Sequence, residues 1–560
     1  MRTTALLKIL MAVSLAAFSW RAPAADEVVT TGSDVAPAAQ ERLGTVSFPV
    51  SCAGSAQTGF NRGVALLHDF WYAEAKPQFE RILETDPDCS MARWGIAMSV
   101  FHQIWDRPDD AAMATGWREL EMARSHPPKT LRERQYIDAL ADFFRPGAAD
   151  YPARIDAYSA AMGRLHAAYS DDADAGAFYA LSLLAAEAPT DTSLHAERTA
   201  MRVLAPLWVK YPDHPGLVHY IIHACDNPAL APDGLAAARA YGKVAPSGPH
   251  AVHMPGHIFA RLGLWSEDIA ANAASVQASR AAEARHENGW MDQFHSDDFL
   301  VYAYLQSGQV AQARAVLDEA SAAISHYEAM PDMAPDQYMS GLFPYFRTKL
   351  PIFIELETRD WAKVLELEPI EGAPAETQTQ VYWARTIAAG HLHRAVDARQ
   401  DLAAYDAMLA QMRKGRHAYF VDSNGTKIRR GEMLAWAAFA DNRTGEALEA
   451  MRASADLQDK VGQDEVDIPA REMLADMLLE EGRPREALVQ YARALTLSPN
   501  RFNGLYGAGQ AAEAADDRLA ATRYYSALLQ ATDGSSSSRP EIAHAKAFVG
   551  SAATTAAPTS

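Results

Sequence analysis

Two pairs of histidines stand out as candidates for chemistry. His219 and His223 are four residues apart, and His253 and His257 repeat the spacing 34 residues later. A spacing of four places both members of a pair on one face of a helix, one turn apart. Imidazole nitrogens are ligands for Zn²⁺, Cu²⁺, Ni²⁺ and Fe²⁺. We therefore predict that these four side chains converge on one divalent transition-metal ion, and that binding weakens as pH falls through about 6.5, the ordinary histidine pKa.

The helices that carry these pairs belong to a repeating pattern. The stretch FNRGVALLHDFWYAEAKPQFERILETDP (60–87) has Gly63, Ala75, Phe79 and Pro87 at positions typical of a helix-turn-helix unit. Near the other end, segments 469–499 and 502–530 place alanines (Ala487, Ala521) and tyrosines (Tyr491, Tyr525) 34 residues apart. An interval of 34 residues is the length of one tetratricopeptide (TPR) repeat.

Over most of its length the chain resembles the TPR superfamily, in particular exported bacterial TPR proteins without an assigned activity. The resemblance implies an all-α fold, a right-handed α-solenoid of stacked helix-turn-helix (TPR) repeats. We predict an N-terminal array over 55–320 that carries a histidine-rich groove, and a C-terminal array over 321–532. A short hairpin or an extended loop is expected around Asn424 and Gly425, where Asn-Gly favours a turn.

The same resemblance implies which side chains face the concave groove, because the first helix of each unit lines it. In three neighbouring units the groove positions are His219, His223, Asp226, His250, His253, His257, His295, Asp298 and Tyr302. Asp226 or Asp298 would either ligate a metal or orient a ring through its second nitrogen. Alternatively, the histidines hydrogen-bond one another and a bound peptide, and His253 caps the helix that begins near Pro255.

The ends of the chain predict export. Arg2 and Lys8 precede an apolar run, and small residues follow at 22–24, which is typical of a secretory signal. We expect a signal peptide over 1–24, a mobile leader over 25–54 and a disordered tail over 533–560. The protein would then be periplasmic or secreted. No stretch is long and apolar enough for a membrane span.

Three cysteines are present: Cys52, Cys89 and Cys225. An exported compartment permits disulfides. Cys52 and Cys89 precede successive predicted units, so we predict a bridge between them. Cys225 is interpreted as a small buried apolar side chain.

Charge and the absence of known motifs exclude some partners and reaction classes, and several functions remain. The formal net charge is −20, which repels nucleic acid and anionic lipid. The HExxH, GxSxG and phosphate-loop motifs are absent, and we assign no reaction. The favoured hypothesis is an exported binding protein whose groove holds a protein, peptide or small molecule, with or without the metal ion. A metal-dependent enzyme and an envelope-protein assembly scaffold that needs no metal remain as alternatives.

Overall fold

The computed structural model describes residues 41–104, 106–147, 149–330, 339–415, 417–463, 467–532 and 537–555. Within these ranges the secondary structure is helical, with a 3₁₀ turn at Ala418–Phe420 and no strand. The α-helices, numbered in chain order, are α1 Ala56–His68, α2 Tyr72–Thr85, α3 Ser90–Met98, α4 Asp110–Ser125, α5 Leu131–Phe144, α6 Tyr151–Ala168, α7 Ala173–Ala185, α8 His195–Lys210, α9 Pro215–Cys225, α10 Ala231–Val244, α11 Pro249–His253, α12 Pro255–Leu262, α13 Trp265–Ala284, α14 Trp290–Gln306, α15 Val310–Glu328, α16 Met339–Glu357, α17 Trp361–Glu366, α18 Ala375–His391, α19 Ala395–Met412, α20 Asn424–Ala440, α21 Thr444–Val461, α22 Ala470–Glu480, α23 Pro484–Leu497, α24 Phe502–Ala514, α25 Arg518–Ala531 and α26 Pro540–Thr555.

Consecutive helices stack as antiparallel pairs, which confirms the predicted all-α solenoid with TPR-like repeats. The repeat signature has a packing cause. The ring of Phe79 on α2 lies between Gly63 on α1 and Gly95 on α3, and a Cβ added at either glycine would come within 2.6 or 2.4 Å of that ring. Tyr491 on α23 meets Gly507 on α24 in the same way. Small residues are therefore required where the helices approach most closely.

The solenoid curls until distant repeats touch. The indole Nε1 of Trp265 donates to the carbonyl oxygen of Asn500 at 2.8 Å, and Arg261 Nη2 donates to the carbonyl oxygen of Gln463 at 2.6 Å. The backbone nitrogen of Asn424 donates to the carbonyl oxygen of Pro189 at 3.1 Å. The inner surface near α9 to α14 is thus covered by later repeats and is not an open groove.

Several expected boundaries differ from the structure. The end of the predicted leader is packed, since Leu43 and Phe48 are buried and the backbone nitrogen of Thr45 donates to the Asp213 carbonyl. The expected disordered tail contains α26, so that prediction is wrong for residues 540–555. In the predicted segment 412–431 the described residues form no hairpin: a loop with a 3₁₀ turn at Ala418–Phe420 follows α19, and helix α20 begins at Asn424. There the Ser423 hydroxyl accepts from the backbone nitrogen of Thr426 and caps the start of α20.

From Arg42 onward the chain forms one compact unit, and the predicted division near residue 320 stays a prediction. The expected signal peptide over 1–24 lies outside the described residues. Among the described helices, none combines the length and the apolar character needed to cross a bilayer.

Candidate metal centre

Three neighbouring parts of the solenoid supply the histidines. His219 and His223 lie on α9. His250 and His253 lie on α11, and His257 lies on α12. Pro255 cannot donate a backbone hydrogen bond, and the helix is divided at Met254. Met254 nevertheless keeps helical dihedral angles (φ −50°, ψ −34°), so His253 and His257 remain on the same face.

The first cluster consists of His219, His223 and His250. One nitrogen from each ring lies within 4.8 Å of the others, and His219 Nε2 is 3.0 Å from His223 Nε2. The ring centroids of His219 and His250 are 5.1 Å apart. Phe70 packs against all three rings at centroid distances of 4.5 to 5.6 Å. Its φ of 56° is unusual for a bulky residue, and such strain tends to occur at functional sites.

The second cluster consists of His253, His257 and His295, the last from α14. Their ligating nitrogens also lie within 4.8 Å of one another. His253 Nε2 is 3.0 Å from His257 Nε2, and the ring of His295 is 4.3 Å from that of His253. Phe299, one turn after His295, packs on all three rings at 4.7 to 5.5 Å. Each cluster is therefore three imidazoles against one phenyl ring.

Neighbouring groups fix the orientation of three of these rings through Nδ1. His219 Nδ1 donates to the backbone carbonyl of His68 at 2.5 Å. His253 Nδ1 is 2.6 Å from the side-chain oxygen of Asn272. The amide nitrogen of Asn272 donates to the backbone carbonyl of Asp268, which leaves its oxygen to accept from His253. Histidines that bind metal commonly have the second nitrogen held in this way.

His257 has the strongest such partner. Its Nδ1 donates to Asp226 Oδ2 at 2.8 Å, and Arg261 Nε donates to Asp226 Oδ1 at 2.9 Å. Although burial acts in the opposite direction, the Arg261 charge and His257 hold the pKa of Asp226 well below its ordinary value. Asp226 is therefore an ionised carboxylate that can only accept, so Nδ1 of His257 carries a proton.

This proton arrangement leaves two lone pairs facing each other. Nδ1 is protonated on both His253 and His257, so each Nε2 is a lone-pair acceptor wherever its ring carries no second proton, and these atoms are 3.0 Å apart. Two acceptors at that distance repel unless a cation lies beside both. Two nitrogen ligands of one ion, each about 2.0–2.1 Å from it, lie about 2.9–3.4 Å apart at angles of roughly 90–110°. The observed separation fits that range.

Burial keeps most of these rings neutral. It lowers the pKa of four of them well below 6.5, and neighbouring histidines lower it further (His219, His250, His253 and His295). The pKa of His223 falls to about 3, first because of burial and then because of the charge His257 would carry. Neutral imidazole is the form that binds metal.

The structure thus groups the predicted residues differently from the sequence hypothesis. The four histidines expected at one ion are divided between two clusters, and His250 and His295 complete them. Asp226 orients a ring. Asp298 forms an ion pair with Lys349 at 2.5 Å, and the hydroxyl of Tyr302 contacts Arg501 and donates to the Asp467 carbonyl.

Phe70, Asn272 and Phe299 were not identified from the sequence, because no spacing links them to the histidines. A separate buried group was also missed. His68 Nε2 and His214 Nε2 lie 3.0 and 3.2 Å from Asp174 Oδ1, and burial lowers the pKa of His68 to about 4. Its members are separated by up to 146 residues of sequence, so only the folded chain shows the group.

A small cavity borders the second cluster. Its volume is about 20 Å³, and His257, Phe299, Arg261 and Tyr302 are among the residues that line it. That space accommodates about one water molecule. A water-sized ligand can therefore occupy the space beside His257 at the edge of the cluster.

Two of the three cysteines are bonded to each other, and the third is a free thiol. Cys52 and Cys89 form a disulfide with Cα atoms 5.0 Å apart. Cys225, at the end of α9, is a buried free thiol, and its Sγ lies 3.5 Å from the sulfur of Met201.

No protein-family model matches the chain, and no curated protein matches it. Solved structures with similarity include the human IFIT1 dimer with m7Gppp-AAAA, at 10% identity and a TM-score of 0.35, covering 86% of this chain and 98% of that one. The P58(IPK) TPR domain matches at 11% identity and a TM-score of 0.19, covering 89% and 99%. Naa15/Naa10 bound to HypK-THB matches at 11% identity and a TM-score of 0.23, covering 90% and 98%. We take no function from these structures.

Proposed function

We propose that this protein is an exported TPR-like solenoid that binds transition-metal ions, Zn²⁺, Cu²⁺, Ni²⁺ or Fe²⁺, in its two histidine clusters. Each cluster supplies three imidazoles to one ion. Three protein ligands leave a coordination position open, and the ligand or substrate of the protein would bind there.

The contact between His253 Nε2 and His257 Nε2 is the main support for the proposal. In the neutral rings both atoms are lone-pair acceptors, because Asn272 and Asp226 accept the Nδ1 protons. A purely structural histidine patch would place a donor opposite an acceptor. Burial lowers the pKa of His253 well below its ordinary value and so disfavours a second proton on that ring. We infer that a metal ion lies beside both Nε2 atoms.

The first cluster supports the same function with one difference. His219 must donate through Nδ1 to the His68 carbonyl, so its Nε2 is also an acceptor. His223 Nε2 can donate to it at 3.0 Å in the absence of metal. We therefore expect the first cluster to be stable without an ion and to bind one more weakly than the second.

Titration of metal-free protein with Zn²⁺ against a coloured chelator tests the proposal. Wild-type protein should bind two ions. His253→Ala and His223→Ala should each lose one of them, whereas His126→Ala, at a histidine whose side chain is 61% exposed, should bind both. If both cluster variants bind Zn²⁺ as the wild type does, the proposal is wrong.

A further inference from the structure

We propose that the two histidine clusters form one dicopper centre that binds dioxygen between its ions. The inference rests on the proposed metal-binding function and specifies the metal, the nuclearity and the small-molecule ligand.

The clusters are in contact with each other. His250 belongs to the first, and its ring centroid lies 6.0 Å from that of His253 in the second. Asp226, at the end of the helix α9 that carries His219 and His223, accepts from His257 Nδ1 of the second cluster at 2.8 Å. Two ions held about 2 Å from their nitrogen ligands would therefore be neighbours, and we infer that one small molecule bridges them.

The donor set favours copper. Both clusters consist of imidazoles alone. Asp226 and Asp292 contact the Nδ1 atoms of His257 and His250 and belong to neither group of ligands. Imidazole ligands bring no negative charge of their own, so the charge of two divalent ions would be largely uncompensated by their ligands in a buried site, which is costly. Copper halves that charge as Cu(I), whereas zinc has no monovalent state in proteins. Among divalent first-row metals, Cu²⁺ also ranks highest in affinity for nitrogen sites.

The surroundings of the clusters leave room only for a small ligand. Phe70 and Phe299 cover the two clusters, and the solenoid closes over them. The cavity beside His257 and Phe299 has a volume of about 20 Å³, which holds about one water-sized molecule. Of the six histidines this cavity borders only His257, and Asp226 and Arg261 line it as well. A diatomic ligand fits there beside the second cluster, and a peptide side chain does not.

The two copper ions supply both electrons that dioxygen takes up when it binds. Each Cu(I) gives up one electron and becomes Cu(II). Dioxygen accepts both electrons, its double bond becomes a single bond, and the resulting peroxide dianion bridges the ions. No proton or further reductant is required, and the dianion neutralises the charge that the two oxidised ions gain.

Full-length protein stripped of metal, loaded with Cu(I) without oxygen and then exposed to dioxygen tests this inference. The wild type should bind two copper ions and consume one dioxygen per pair. Its Cu(II) signal in electron paramagnetic resonance should account for only a small part of the copper, because the two spins couple. His126→Ala should behave in the same way, and protein loaded with Zn²⁺ should consume no dioxygen.

His223→Ala should retain one copper ion, which shows that the chain still folds, and should give the full Cu(II) signal of an isolated ion after oxidation. Wild-type protein that binds two copper ions yet shows full signal intensity and no stoichiometric oxygen uptake would overturn the inference and leave the proposed metal binding intact. If neither copper nor zinc binds, both proposals fail.

Discussion

Asp226→Asn tests how the surroundings of the second cluster control metal binding. Each carboxylate oxygen of Asp226 accepts a hydrogen bond, one from His257 Nδ1 and the other from Arg261 Nε. Asparagine offers one oxygen. If that oxygen faces His257, the amide NH₂ faces the guanidinium, and two donors oppose each other. If it faces Arg261, the NH₂ faces His257 and forces the ring proton onto Nε2, where it blocks the metal.

Loss of a partner that orients a metal-binding histidine typically costs about 10–100-fold in metal affinity. We therefore expect Asp226→Asn to weaken Zn²⁺ binding at the second cluster by about 10–100-fold, equivalent to about 1.4–2.7 kcal/mol. Binding at the first cluster, measured in the same titration, should not change. The assay is competition with a coloured chelator on protein whose helix content has been checked by circular dichroism.

Asp476→Asn is the matched control. Asp476 also uses both oxygens on an arginine, Arg359, and accepts from Tyr491. Removing one partner of such a buried pair destabilises a protein by roughly 3–5 kcal/mol, so both variants should lose stability and only Asp226→Asn should lose affinity. Equal affinity of the second site in Asp226→Asn and wild type would refute the assigned tautomer of His257.

Three further outcomes are expected. Cys52→Ser combined with Cys89→Ser should lower the free energy of unfolding by about 2–4 kcal/mol in urea titrations of oxidised protein, and no change would mean that the bridge does not form there. Burial, and then the charge of Asp467, raises the pKa of Glu432 from 4.5 to about 7. The raised pKa of Glu432 should stabilise the folded chain fully below pH 4.5, and this contribution should be lost as pH rises through about 7. Glu432→Gln should remove this pH dependence of the unfolding free energy, which totals about 3 kcal/mol at about 1.4 kcal/mol per pKa unit. An unchanged pH dependence would refute the assignment. Zn²⁺ at about 100 times its dissociation constant should raise the stability of metal-free protein by about 2.7 kcal/mol per site, and an unchanged urea midpoint would contradict metal binding.

The sequence predicted the fold well, because the packing that defines a repeat is local. Gly63, Phe79 and Gly95 are within two consecutive units, and their sizes must match wherever helices approach closely. The prediction of a disordered tail was wrong for α26 because it applied the Ser-rich composition at the start of the tail to the alanine-rich residues that follow, and these form a helix.

The candidate site was only partly predictable. A spacing of four identified both histidine pairs, and the repeat register placed His250 and His295 near them. How the histidines divide into two clusters depends on how α9, α11 and α14 pack, which no spacing encodes. Phe70 approaches the first cluster through a left-handed backbone conformation, and Asn272 reaches His253 from the neighbouring helix α13.

Anomalous X-ray scattering from crystals of the protein, purified without an affinity tag and supplied with metal, tests metal binding most directly. Two peaks are expected. One should lie about 2 Å from nitrogens of His253, His257 and His295, and the other from nitrogens of His219, His223 and His250. The absence of a peak from both clusters, or a single ion bound by His219, His223, His253 and His257 together, would contradict the account.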